Sequence, residues 1–261
     1  AGEPEIKRID KVAYKNHLYV TKKPDGQRDD SQEKRLSEIE QWFGNSYWKA
    51  LQNDYLDLSG EPVRKMVSLL TAIMYLRNPA TLEQSKEVHR QLVQAFSTSS
   101  ELPESVEIKG RILTIDQSSW PDFAEANDED LKKNWFNSIN NATEIARLFL
   151  SMRWSVLFSE EPLFVTSDNP VTFLHPDLRF RGIRNPETSI LFPISATRVL
   201  CMDHKYQEPD NQYYPVQQNG AAINTLIWRS ALEYMFSHRD PHEVCAEMVD
   251  FSESEEFRDA R

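Results

Sequence analysis

Glycine is scarce. The seven glycines stand at 2, 26, 44, 60, 110, 182 and 220, and no two lie within fifteen positions of each other. Phosphate-cradling loops need clustered glycines, because a bare backbone must approach the phosphate closely. A dinucleotide fingerprint and a P-loop are therefore excluded, as is the G-x-S-x-G nucleophile elbow. Cysteine is scarcer still. Cys201 and Cys245 stand far apart with no C-x-x-C pair, which excludes structural zinc of the usual spacing. In a chain of this size the two are expected as free, buried thiols in a reducing cytosol. Long apolar runs are missing too. The longest, Met66 to Leu76, is broken by Ser68 and Thr71 and falls short of the ~20 residues a bilayer requires. No basic-then-apolar leader opens the chain, so a secretion signal is expected to be absent or already removed, and the expected location is cytoplasmic.

Basic residues are outnumbered. The 261 residues carry 30 Lys and Arg against 41 Asp and Glu, a formal net charge of −11. Polyphosphate backbones attract basic surfaces, so general nucleic-acid binding is disfavoured. Acids concentrate at Pro121 to Asp130 and in a tail over about 250–261, where a solvated surface is expected. Aromatic residues are plentiful, with Trp 6, Tyr 9 and Phe 13, which supplies apolar bulk for a folded core and excludes an intrinsically disordered chain.

Periodicity divides the chain. Val12 to Thr21 reads as a strand, closed by the turn Pro24-Asp25-Gly26. A capping box at Asp30 to Glu33 opens a helix with Leu36, Ile39 and Phe43 on one face. Further helices follow from Ser59 to Leu76 and from Thr81 to Phe96. Val106 to Ile115 reads as one strand bent at Gly110. Leu131, Trp135, Ile139, Ala142, Ala146 and Phe149 step by three and four, which predicts one long helix from Asp130 to Met152. Short strands then crowd together at Trp154 to Phe158, Phe164 to Thr166, Val171 to Leu174, Ser189 to Phe192 and Val199 to Met202. A helix over about 219–237 and a short one capped by Asp240 complete the pattern. Helices first and strands later predict an α+β fold, a helical first half packed on a mostly antiparallel sheet from the second half. No linker cuts the chain, so a single domain over 1–261 is expected.

Three places could carry chemistry. In Phe164 to Val171, Ser167, Asp168 and Asn169 stand between two apolar strands, either as a tight turn or as groups projecting into a pocket. Arg77 and Asn78 end an apolar helix, where an arginine donates to terminal carbonyls or reaches a carboxylate such as Asp168. Asp168 together with Glu40 and a further carboxylate could hold a divalent metal. His238, Asp240 and His242 are close in sequence, but Pro241 prevents one continuous helix from presenting both histidines side by side.

Several of these strings together resemble an uncharacterised prokaryotic family known only as a domain of unknown function. The resemblance rests on the Glu33 to Glu40 helix, Arg77-Asn78-Pro79, the Arg153 to Leu157 strand, Thr166 to Pro170 with its Thr-Ser-Asp-Asn-Pro string, and the Phe192 to Ser195 strand. It spans about 14–236. Members commonly begin with a His-x-x-Pro-aromatic segment ahead of the first strand, and nothing here matches it. The resemblance implies no particular activity. It puts a functional role for Ser167, Asp168 and Asn169 on a par with the turn reading. The function expected is ligand or partner binding, with a protein or small molecule as partner. The alternative is a metal-assisted hydrolase of phosphodiesterase or nuclease type, with Asp168 in its site.

Overall fold

The order of elements follows the predicted division in outline. A computed structural model describes residues 18–23, 25–44, 46–96, 103–108, 111–176, 182–216 and 220–254. Among them the chain runs through β1 (Thr21–Lys22), β2 (Arg28–Asp29), α1 (Ser31–Glu40), a 3-10 turn (Gln41–Gly44), α2 (Ser46–Asn53), α3 (Glu61–Leu76) and α4 (Pro79–Phe96). Next come β3 (Ser105–Ile108), β4 (Arg111–Thr114), α5 (Trp120–Ala124), α6 (Asp128–Asn140) and α7 (Thr143–Ser151). The second half contributes β5 (Arg153–Phe158), β6 (Thr166–Ser167), β7 (Thr172–Leu174), β8 (Ser189–Ser195), β9 (Arg198–Asp203) and β10 (Gln212–Pro215), then α8 (Ala221–Ser230), β11 (Met235–Phe236) and α9 (Pro241–Glu253). The class is α+β.

These elements gather into two compact units. The larger holds Ser37–Tyr75 and everything from Thr143 onward; the smaller holds the described residues up to Leu36 together with Leu76–Ala142.

In the larger unit a five-stranded sheet has the order β10-β5-β9-β8-β7. β10 runs parallel to β5 and the other pairings are antiparallel. The inner strands are apolar on both sides, as a covered sheet requires: Trp154, Val156, Ile190, Val199, Leu200 and Met202 are fully enclosed. Helices of the first half cover part of this sheet. Trp48 of α2 packs on Phe192 with ring centroids 6.0 Å apart, and the Gln52 side chain donates to the Ile194 carbonyl at 2.7 Å. From α3, Arg64 lies 4.5 Å over the Trp154 ring. Its guanidinium donates to the Met152 carbonyl at 2.7 Å, just past the end of α7, and to Asp210 at 2.9 Å and Asn211 at 2.6 Å. That arrangement leaves none of its charge facing an empty interior.

The smaller unit packs α4 against α6, with Tyr19 stacked on Trp135 at 5.6 Å between centroids. A capping box on Asn127 starts α6: its side chain accepts from the Glu129 and Asp130 amides, and Asp130 returns a bond to the Asn127 amide.

Four predicted elements need correction. The stripe from Leu131 to Leu150 is two helices, not one. Asn141 closes α6 by donating its amide to the Asn137 carbonyl, and α7 begins afresh at Thr143. The apolar period crosses the break unaltered, which is why it is invisible to pattern; the signal was Asn140-Asn141, poor helix formers that favour caps. Val106 to Ile115 is a hairpin, β3 paired with β4, and Ile108 stands opposite Arg111. Of the proposed strand Val12 to Thr21, residues 12–17 lie outside the described residues; what is described is β1, two residues paired with β2. The helix expected to reach residue 237 stops at Ser230, for a reason that lies in the candidate site.

Candidate functional site

Ser167, Asp168 and Asn169 come together at the end of α8. β6 pairs antiparallel with β11, Ser167 opposite Met235 and Thr166 opposite Phe236. Just past that ladder the Asp168 carboxylate accepts three consecutive backbone amides: Leu232 at 2.9 Å, Glu233 at 2.8 Å and Tyr234 at 3.2 Å. The Asp168 amide in turn donates to the Tyr234 carbonyl at 3.1 Å. Asn169 donates its side-chain amide to the Ser230 carbonyl at 2.8 Å, satisfying a terminal acceptor of α8. The Ser167 hydroxyl accepts the Asn169 amide at 3.2 Å, and Ser167 is itself buried. α8 therefore ends early because its following backbone has better partners than a next helical turn would supply. Ala231 is already extended, at φ −63° and ψ 146°.

Two residues that pattern did not single out complete this joint. Asn224 sits on the inner face of α8 and is wholly buried. Its side chain accepts the Val165 amide at 3.0 Å and donates to the Leu163 carbonyl at 3.0 Å, pairing with the backbone just ahead of β6. Gly220 precedes α8 where a Cβ would stand 3.0 Å from Leu163 Cγ and 3.1 Å from its carbonyl oxygen. The available signals were a lone glycine before a helix and an asparagine within the apolar stretch Ala221 to Trp228.

Arg77 and Asn78 lie in the smaller unit, at the corner between α3 and α4. The Asn78 side chain accepts the Ala80 amide at 2.9 Å and so caps α4, whose first residue is Pro79. The Thr81 hydroxyl bonds the carbonyls of Leu76 and Asn78, and the Trp135 indole donates to the Leu76 carbonyl at 2.7 Å. The Arg77 carbonyl accepts the Tyr19 hydroxyl at 3.1 Å.

Glu40 is the last residue of α1 and is exposed. Among the described residues no group of three or more His, Cys, Asp or Glu side chains is placed to hold a metal ion. Cys201 and Cys245 are both free. Burial, with the Asp203 charge adding to it, pushes the Cys201 thiol up to about 12, which leaves it a poor nucleophile. Asp203 itself is buried beside Arg153, which bonds it through two nitrogens at 2.8 and 2.5 Å across the β5–β9 pair.

Two surfaces remain. In the smaller unit a groove of about 660 Å³ lies between α4 and the start of α6, and its charges are matched internally: Lys86 to Asp128 at 3.1 Å, and Arg90 to Glu87. In the larger unit Trp228 and Leu232 stand 45% and 48% exposed at the end of α8. On the loop that follows and on α9, Glu233, Asp240, Glu243, Asp250 and Glu253 are exposed, as is Arg229 of α8.

The model of the family DUF4238, described as a protein of unknown function, matches residues 3–241. No curated protein and no solved structure matches the chain. Among the described residues no helix is long and apolar enough to cross a membrane.

Proposed function

We propose that this chain, which belongs to the DUF4238 family, is a binding protein that takes a basic segment of a protein partner on the surface around the end of α8. The observation that carries the reading is the half-exposed pair Trp228, on α8, and Leu232, whose amide Asp168 accepts. Exposed tryptophan on a fixed backbone is the residue type that anchors interfaces, since little freedom is lost when it is covered. The exposed acids of the following loop and α9, Glu233 to Glu253, supply the charge. A partner carrying Lys or Arg beside an apolar side chain complements both features, whereas a second copy of the same acidic surface would be repelled. A cytoplasmic, prokaryotic setting belongs to the same reading, and two free thiols suit a reducing compartment.

A short amphipathic peptide of alternating lysine and leucine, titrated calorimetrically, tests this. Binding is expected to weaken with added salt and to fall at least tenfold in Trp228→Ala/Leu232→Ala, as loss of a buried anchor entails. It is expected to be unchanged in Tyr206→Ala, which alters an exposed aromatic elsewhere. Equal affinity in the double variant, or no binding by the parent, would refute the reading.

A further inference from the structure

The Asp168 carboxylate sits in the backbone after α8 as a bound anion would. One of its oxygens accepts the Leu232 amide at 2.9 Å; the other accepts the Glu233 amide at 2.8 Å and the Tyr234 amide at 3.2 Å. Successive amides aimed at one point form a concavity that favours anions. The backbone presenting them is also held by other groups. Ahead of the three amides, Ala231 donates its own amide to the Ile227 and Trp228 carbonyls, and the Asn169 side chain donates to the Ser230 carbonyl. Behind them, the Tyr234 carbonyl accepts the Asp168 backbone amide, and Met235 and Phe236 pair with Ser167 and Thr166. Met235 also packs on the cluster of Val165, Ile227, Val244 and Met248. None of these bonds uses the Asp168 carboxylate.

We infer that the amides of Leu232, Glu233 and Tyr234 are a carboxylate-binding site in their own right, and that Asp168 is its tethered ligand. Backbone fixed from both sides is organised before the anion arrives, so little order has to be imposed on binding. The division of the amides sets the ligand class. One oxygen takes one donor and the other takes two, which a carboxylate matches and a single-atom halide does not. Charge on the acceptor makes each of these bonds roughly twice as strong as a neutral one. Leu232 and Glu233 are exposed and Asp168 is half-buried, so a small anion reaches the place from solvent once the side chain is removed. The inference does not depend on the basic partner proposed above. It concerns the backbone at 232–234, whereas the peptide titration concerns the side chains of Trp228 and Leu232, and either can fail while the other stands.

Removing the ligand and supplying it again tests this. Asp168→Ala deletes the carboxyl group, which formate replaces atom for atom. Asp168→Gly deletes the Cβ as well, which acetate replaces. The full chain is melted in sodium formate or acetate and in sodium chloride at equal ionic strength. At a tenfold excess over its dissociation constant, formate is expected to raise the melting temperature of Asp168→Ala by on the order of 3 °C, by mass action on a chain of this size. Acetate is expected to do the same for Asp168→Gly. The amide proton resonances of residues 232, 233 and 234 should move downfield together and saturate over the same concentrations. The parent, whose site is already filled, should show neither effect. A variant that folds in its carboxylate and not in chloride would support the inference equally. Identical melts in carboxylate and chloride, or three unmoved resonances, would overturn it. So would variants that fold in neither salt, because the tethered carboxylate would then be what builds the site.

Discussion

Asp168 and Asn169 bond the backbone that follows α8, Asn224 and Gly220 meet the backbone of residues 163–165, and each can be removed separately. Replacing Asp168 with Asn keeps the shape, but its amide nitrogen now meets an amide hydrogen where an oxygen accepted one. We expect the variant to fold and to lose about 1–2 kcal/mol in chemical denaturation. Asn224→Ala is the harsher change, because the Val165 amide and Leu163 carbonyl are left buried without that partner; about 2–4 kcal/mol is expected. Gly220→Ala crowds Leu163 and is expected to cost about 1–3 kcal/mol by overpacking. If Asn224→Ala melted like the parent, the joint would not be what holds residues 163–165 against α8.

The strings that marked the chain for attention are legible as strings, but their partners are not. Thr-Ser-Asp-Asn-Pro and Arg-Asn-Pro both stand out as polar residues next to proline. Nothing in the order of residues says that Asp168 would reach 64 to 66 positions ahead for its amides, while Asn78 would cap the helix beginning at its neighbour. Local chemistry is readable from spacing; a side chain that spends itself on distant backbone is not.

At the scale of elements, the strands of the sheet were readable because they are apolar, short and bounded by turn residues; β8 and β9 extend by one to three residues beyond the expected ends. β10 and β11 were not readable. β10 is an exposed edge strand ending in Pro215, so it has no inward alternation to display, and β11 is two residues long. The β5–β9 pair carries the element-scale prediction. Burial alone would raise the Asp203 carboxyl, but the bond from Arg153 and the Lys205 amide outweigh it, so the group ionises below its ordinary value near 3.8. A carboxylate depressed on folding stabilises the fold above its unfolded pKa, and that contribution drains away as the pH falls through the lower folded value. Acid unfolding below about pH 4 should therefore be less steep in Asp203→Asn than in the parent. At neutral pH the same variant should be destabilised by less than the ~3–5 kcal/mol of an orphaned buried charge, because Glu208 at 3.1 Å remains as a counter-charge to Arg153. An unchanged acid limb would remove Asp203 from the account.

At the scale of the whole molecule, the α+β class was legible from helices preceding strands, and the division into two units was not. Each unit draws on segments far apart in sequence, and the boundary at Ala142 and Thr143 falls inside an unbroken apolar period. This arrangement makes a prediction about cutting. A fragment of residues 101–261 lacks α2 and α3, and with them the buried Trp48, Leu51, Val67 and Leu70. It is expected to show no cooperative thermal transition, whereas the intact chain should unfold cooperatively. A fragment melting as sharply as the intact chain would contradict the way the larger unit is assembled. The surface reading belongs to this scale as well, since the −11 charge is what selects a basic partner over an acidic one.

The central claim is that the Thr-Ser-Asp-Asn-Pro string works as a joint, with the Asp168 carboxylate holding the backbone of Leu232 to Tyr234. Amide proton shifts of those three residues measure it directly, because an amide bonded to a carboxylate resonates downfield of one bonded to water. Comparing the parent with Asp168→Asn, the account predicts that all three resonances move upfield together while those of β8 and β9 stay in place. Three unmoved resonances at 232, 233 and 234 would contradict it.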